Sequence, residues 1–186
     1  MEKIKEFETK PEMYLEIPKG GVGAEVGVCK GFNAMHLWHI ARPSKMYLCD
    51  IWINSLTKHQ THESTDVWAA NHEELVTSFF DKEIESGKVV TSREYGGNFL
   101  FELEDNELDW IYLDADHKYD PVSIELELAI LKVKPGGLIM GHDYVTNPCV
   151  WKAGVIRAVN ERIQNGDMKM EAVTIEIFPS FLFCFL

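Results

Sequence analysis

The chain has 186 residues, 46% of them apolar and 26% charged, the balance of one globular domain over residues 1–186 with a real core. Its net charge of −12 with scattered Lys and Arg argues against a nucleic-acid partner, since affinity for phosphate backbones comes from neutralising them. No apolar run is long enough to cross a bilayer, and the charged start Met1-Glu2-Lys3-Ile4-Lys5-Glu6 lacks the apolar stretch of a signal peptide, so the expectations are a cytoplasmic location, no membrane contact and a small-molecule partner.

Short apolar runs alternate with helix-like stretches, the pattern of an α/β domain with a mainly parallel sheet. Residues 2–16 read as an irregular helix. A strand over Val22 to Val28 leads into a helix over Asn33 to Ala41, ended by Arg42-Pro43-Ser44 because Pro disfavours helix before it. Lys45 to Asp50 is the second strand, and the polar, aperiodic residues 51–65 form a long loop. Asp66 to Glu85 reads as one helix, with Leu75 and Phe79, and Val76, Phe80 and Ile84, making its apolar stripe. Strands follow over Lys88 to Glu94 and Leu108 to Leu113, with a short helix over Asn98 to Glu104 between them. Asp120-Pro121 starts a helix, with Asp as cap and Pro at the first helical position, that turns Ile124, Leu128 and Leu131 inward. After a Pro135-Gly136-Gly137 turn come a strand over Leu138 to Gly141 and a helix over Lys152 to Gln164. Met168 to Phe178 and Phe181 to Leu186 form a hairpin, with a tight Pro179-Ser180 turn, that closes one edge of the sheet.

In open parallel sheets the ligand sits beyond the carboxyl ends of the strands. Four of the five such ends carry acids or imidazoles: Asp50, Glu94 to Gly97, Asp114 to His117, and His142-Asp143. The other is the turn Glu25-x-Gly27-x-x-x-Gly31. Gly27 lets the backbone turn sharply against a ligand, and Gly31 lets the next helix pack closely. A dinucleotide site would need glycines where Cys29 and Phe32 stand. Taken alone, the turn fits a ligand loop or a plain strand–helix corner equally. Asp50, about twenty residues on, suits ribose hydroxyls without choosing between cofactors.

Asp114, His117, His142 and Asp143 end neighbouring strands and can meet at one edge. Carboxylates with imidazole suit a divalent ion, whereas each acid singly also reads as a helix cap. Such an ion would stabilise the oxyanion of a hydroxyl nucleophile, and an imidazole at His117 has the intrinsic pKa of a general base. Tyr144 and Trp151 read as acceptor-pocket or core aromatics, and Asp116 as a turn cap. His59 and His62 lack the partners of a tetrahedral metal set and read as solvated. Cys29, Cys49, Cys149 and Cys184 form no CxxC pair and read as buried reduced thiols.

Together, Glu25-x-Gly27-x-x-x-Gly31, Asp50 and Leu113-Asp114-Ala115-Asp116-His117 resemble class I S-adenosylmethionine (AdoMet) methyltransferases over about residues 20–165. More narrowly the chain resembles the group of macrolide-sugar O-methyltransferases and relatives of catechol and caffeoyl-CoA O-methyltransferases. The resemblance implies a Rossmann-like, seven-stranded, mostly parallel sheet with helices on both faces and a reversed last strand. It implies AdoMet held by Glu25, Gly27, Gly31, Asp50 and Asp114, with Tyr95 and Gly96 at the adenine. It implies a divalent metal, Mg, Mn or another, on Asp114, His142 and Asp143, with His117 as base. The departure is His142, where the family carries an acid; imidazole suits Mn, Fe, Ni or Zn better than Mg. Asp114-Ala115-Asp116-His117 also stands where methylases of base or glutamine amino groups carry Asn-Pro-Pro-aromatic. The activity implied is methyl transfer from AdoMet to the hydroxyl of a small molecule, with the 51–65 loop as a lid; a homo-oligomer is compatible with it. The competing readings are an NAD-dependent oxidoreductase on this scaffold and a non-catalytic AdoMet-binding module.

Overall fold

The computed structural model describes residues 3–52, 64–145 and 153–184, with the backbone alone over 64–71 and at 153. The sequence readings at His59, His62, Cys149 and Trp151, and the lid assigned to most of the 51–65 loop, lie outside the described residues. In chain order the elements are β1 (Lys5–Phe7), α1 (Lys10–Met13), a 3-10 turn (Tyr14–Glu16), β2 (Val22–Val26), α2 (Phe32–Ala41), β3 (Lys45–Cys49), α3 (Ser64–Phe79), α4 (Asp81–Glu85), β4 (Val89–Ser92), α5 (Gly96–Glu102), β5 (Leu108–Leu113), α6 (Tyr119–Lys132), β6 (Val133–Gly141), α7 (Ala153–Asn165), β7 (Lys169–Thr174) and β8 (Phe181–Cys184).

The strands form one sheet in the order β1-β7-β8-β6-β5-β2-β3-β4. Its centre is parallel, and β8 alone runs against its neighbours β6 and β7. The α/β class and the reversed last strand are as the sequence implies, but the sheet has eight strands rather than seven. The added strand is β1, parallel to β7 (Lys5 beside Ala172), in the segment read as helix. A three-residue, largely exposed edge strand carries no alternation of apolar residues by which it could be recognised. As a result β1, not the hairpin, forms that edge. The hairpin connection is also longer than a Pro179-Ser180 turn: Thr174 N donates to Ser180 O, and Ser180 N to Thr174 Oγ1.

Side chains alternate across the strands, as the pleat requires. Trp110, Tyr112, Leu138 and Met140 pack with residues of α1, α2, α3 and α4 on one face. Ala24, Val26, Ile111, Leu113 and Ile139 pack with α5, α6 and α7 on the other. Gly23 is part of this fit, because a Cβ there would lie 2.0 Å from the Trp110 ring. Gly23→Ala is therefore expected to destabilise the fold by about 1–3 kcal/mol through overpacking, read as a lower urea midpoint.

Other expectations are corrected. The helix read over 66–85 is two helices, because Phe80 leaves helical geometry and drops its ring edge-on against Trp38. The Pro135-Gly136-Gly137 segment is an irregularity inside β6, where the register with β5 jumps from Leu108↔Val133 to Trp110↔Leu138. The start of α6 lies earlier than Asp120: Asp116 Oδ1 accepts from the amides of His117 and Lys118, and Lys118 is the cap. The buried face of α6 is Val122, Glu125, Leu126, Ala129 and Lys132; of the three residues expected inward, Leu128 packs partly buried against this core, while Ile124 and Leu131 are exposed. Cys49 is buried as expected, Cys184 is half-buried, and Cys29 is exposed. Among the described residues no helix is long and apolar enough to cross a membrane.

Candidate active site

The glycine turn joins β2 to α2 and is tied to both neighbouring strands. Gly27 adopts φ +94° and donates to Cys49 O of β3. A Cβ on it would lie 2.1 Å from Asp114 O at the end of β5, so only glycine lets these two strand ends meet. Gly31, at φ +80°, begins α2 and faces Val76 of α3, where it serves helix packing. Asp50 holds the turn from β3: Oδ2 accepts from Cys29 N at 2.8 Å and Oδ1 from Trp52 N at 2.7 Å. Each of its oxygens keeps a further lone pair.

Glu25 points from β2 into a buried polar chain. Tyr14 Oη donates to Asn33 Oδ1 at 2.7 Å, and Asn33 Nδ2 donates to Glu25 Oε1 at 2.9 Å. The second oxygen, Oε2, is buried with no hydrogen-bond partner among the described residues. Burial pushes the Glu25 carboxyl up to about 8 despite the Asn33 bond, so it holds its proton at neutral pH.

The ends of β5 and β6 bring together four side chains. His117 Nε2 lies 2.6 Å from Asp143 Oδ2 and 3.9 Å from Asp114 Oδ1. His142 Nδ1 lies 3.3 Å from Asp143 Oδ1 and 3.6 Å from Asp114 Oδ1. Burial works against charge on His142, but the Asp114 and Asp143 carboxylates outweigh it and push its pKa up to about 9. Asp143 is fully buried and has a left-handed backbone at φ +60°, a conformation that concentrates at functional sites. The ligand atoms that converge within 4.8 Å of one another are those of Asp114, His117 and Asp143, and this trio could hold a divalent cation. The sequence reading gave that place to His142 and kept His117 apart as base. The Asp116 turn folds His117 back over the carboxylates instead.

The remaining sequence candidates are dispersed around this cluster. Tyr95 caps α5 and is 60% exposed. Gly96 is buried, with a Cβ position 2.4 Å from Val26 Cγ1 and 2.3 Å from Glu125 Oε1. Tyr144 packs edge-on to Phe181 and donates to Asn160 Oδ1, which fixes it to α7. Sequence reasoning missed Glu125, which lines the crevice with Leu113, Asp114, Ala115, His117 and His142. Its signal was there: Val122, Leu126 and Ala129 make a helical stripe that contains it.

A family described as a methyltransferase domain matches residues 24–144 of the chain. No curated protein matches it. Among solved structures, SMU.1697c of Streptococcus mutans, a candidate methyltransferase in complex with SAH, is similar with TM-score 0.65 and 9% identity over 95% of this chain and 96% of its own. An rRNA methylase from Streptococcus thermophilus gives TM-score 0.62 and 10% identity over 95% and 93%. Precorrin-6y C5,15-methyltransferase from Geobacter metallireducens gives 0.63 and 10% over 95% and 85%. At such identities the likeness is one of fold.

Proposed function

Because the chain belongs to the methyltransferase-domain family, we propose that it transfers the methyl group of AdoMet to a hydroxyl of a small molecule, of sugar or catechol type. Membership in that family sets the oxidoreductase reading aside. The observation that carries the proposal is the His117–Asp143 pair at 2.6 Å, beside Asp114 and the Gly27 turn. A hydroxyl is a poor nucleophile until its proton is removed, and a carboxylate-oriented imidazole is the group suited to removing it.

The strand ends beside the glycine turn carry groups suited to AdoMet. The buried, unsatisfied Glu25 Oε2 is the kind of atom a polar ligand completes. Asp50 directly follows β3, where ribose hydroxyls can donate to it, and the turn lacks the glycines of a pyrophosphate cradle. Bound there, AdoMet supplies a methyl group on a positively charged sulfur. The protein's part is positioning and proton transfer. A neutral His117 that donates Nε2–H to Asp143 carries its lone pair on Nδ1, the atom that accepts the acceptor's proton. Asp143, buried and held beside His142, keeps that tautomer and orientation. Asp114, His117 and Asp143 would also hold a divalent cation, which would stabilise the acceptor's oxyanion.

Solved neighbours include two named as rRNA methylases, one named for pre-rRNA processing and one named for a precorrin, so the fold accommodates either kind of acceptor. The net charge of −12 favours the small molecule. The test is formation of S-adenosylhomocysteine (AdoHcy) from AdoMet with a panel of catechols, sugars and rRNA, with and without EDTA. Turnover on a hydroxyl compound is expected; turnover on rRNA alone overturns the acceptor assignment. A loss of about tenfold or more in EDTA, restored by Mg or Mn, assigns the trio to a metal. An unchanged rate assigns it to the hydrogen-bonded pair.

A further inference from the structure

The strand order brings the N-terminal segment to the catalytic edge. β1 runs parallel to β7, and β7 and β6 each run antiparallel to β8 between them. β6 is in turn parallel to β5. The carboxyl end of β1 therefore lies on the same edge of the sheet as Asp114 and Asp143. Phe7 O accepts from Ile175 N at that end, and α1 begins shortly after it, at Lys10.

Local chemistry fixes α1 and leaves Lys10 without a partner. Thr9 is the cap, Pro11 stands in the first turn, and Glu12 Oε2 accepts from Glu8 N at 2.9 Å and from Thr9 N at 3.3 Å. Glu16 pairs with Lys5 at 2.6 Å. Glu12 and Glu16, the acids that follow Lys10, are thus engaged elsewhere. Among the described residues the half-buried Lys10 side chain has no hydrogen bond or ion pair. Tyr14 N donates to Lys10 O, so the two residues stand one helical turn apart on one face. Tyr14 is the first member of the polar chain that runs through Asn33 to Glu25. The Lys10 charge is felt in the site itself. Burial is the largest influence on both Glu25 and His142, and Lys10 lowers the pKa of each. Lys30, in the glycine turn, acts on Cys29 and His72 instead.

We propose that Lys10 holds a carboxylate carried by the methyl acceptor, so that the substrate is a hydroxy acid rather than a neutral alcohol or phenol. The inference rests on the reading of this edge as a hydroxyl methyltransferase site. A half-buried ammonium without a counter-charge is a position that a ligand anion completes, with a charge-assisted hydrogen bond. One cation beside Asp114 and Asp143 suits a single negative charge, whereas a phosphate dianion would meet repulsion from both carboxylates. Held at Lys10, the acceptor is oriented by its charge while its hydroxyl is presented to His117. Lys10 is therefore a specificity residue, and the proton transfer stays with His117.

The test titrates two matched pairs, 3,4-dihydroxybenzoate against catechol and galacturonate against galactose, calorimetrically into AdoHcy-loaded protein with Mg present. Wild type is expected to bind the acid of at least one pair about tenfold more tightly than its neutral partner, the worth of a hydrogen bond to a charged group. Lys10→Met should bring the two within about threefold, and Lys10→Arg, which keeps the charge, should keep the preference. AdoHcy affinity should change by less than about threefold in either variant, because separate contacts act independently. A preference that persists in Lys10→Met, or wild-type affinities that are equal or undetectable in both pairs, overturns the proposal. AdoHcy binding that weakens about tenfold in Lys10→Met assigns the ammonium to the cofactor and also overturns it. AdoHcy titrated into wild type reports on the AdoMet site separately: bound AdoHcy without an acid preference leaves that site standing, and no AdoHcy binding removes both. If Lys10→Met fails to fold, Lys10→Ser repeats the comparison.

Discussion

His117→Ala and Asp143→Asn are each expected to lower turnover of a hydroxyl acceptor by about 10²- to 10⁴-fold, the range of a positioned general base. AdoHcy affinity should change by less than about threefold, because neither side chain acts on bound cofactor before the acceptor's proton leaves. Asparagine is the informative replacement at position 143. It tolerates the left-handed backbone at φ +60°, so the turn survives. Its amide cannot hold the charge that fixes the Nε2–H tautomer of His117 across 2.6 Å. The measurement is kcat and KM by AdoHcy release, alongside calorimetric AdoHcy titration. Unchanged kcat in His117→Ala would move the base elsewhere. A wild type that binds AdoHcy and methylates none of the acceptors would favour the non-catalytic module.

The parts of this site that were legible in the sequence share a physical cause. Central parallel strands are buried on both faces and read as apolar runs, so β2, β3, β5 and the end of β6 were visible. Three of them, β3, β5 and β6, run into polar residues where the sheet meets solvent, which placed Asp50, Asp114 and Asp143 at one edge without any tertiary information. What the sequence withheld depends on the geometry of single turns. Whether His117 or His142 converges on the two carboxylates is decided by the Asp116 turn and the left-handed Asp143 backbone, neither of which has a periodicity. The face of α6 was read wrongly because its buried stripe contains Glu125 and Lys132. The apolar Ile124 and Leu131 then looked like the inward set, although they stand 54% and 51% exposed. Cys29 was read as buried from its apolar neighbours, yet its positive φ in the glycine turn leaves it facing outward.

Unfolding free energy, measured by urea titration in EDTA without cofactor, is expected to fall steadily from about pH 5 to pH 8. Glu25 and Glu125 are responsible. Each has an ordinary pKa of 4.5 that burial in the folded protein raises to about 8. Below 4.5 both states hold the proton and the two acids have no effect on the balance. Between 4.5 and about 8 the unfolded chain has released a proton that the folded protein still holds. The unfolded state then binds fewer protons, and stability declines as pH rises. At 1.36 kcal/mol per pH unit, each acid accounts for a loss on the order of 3 kcal/mol by pH 7. His142 works in the same direction over a higher window, since a pKa raised from 6.5 to about 9 gives stability that is lost as pH passes through that interval. Glu25→Gln and Glu125→Gln should each flatten the slope below pH 8 and together nearly abolish it below about pH 6.5, above which His142 still contributes, with both variants more stable than wild type at pH 7. Glutamine can accept from Asn33 as Glu25 does, so the gain should come without loss of the Tyr14–Asn33 chain. A wild-type stability that is level or rising across pH 5–8 would mean that both carboxyls ionise in place.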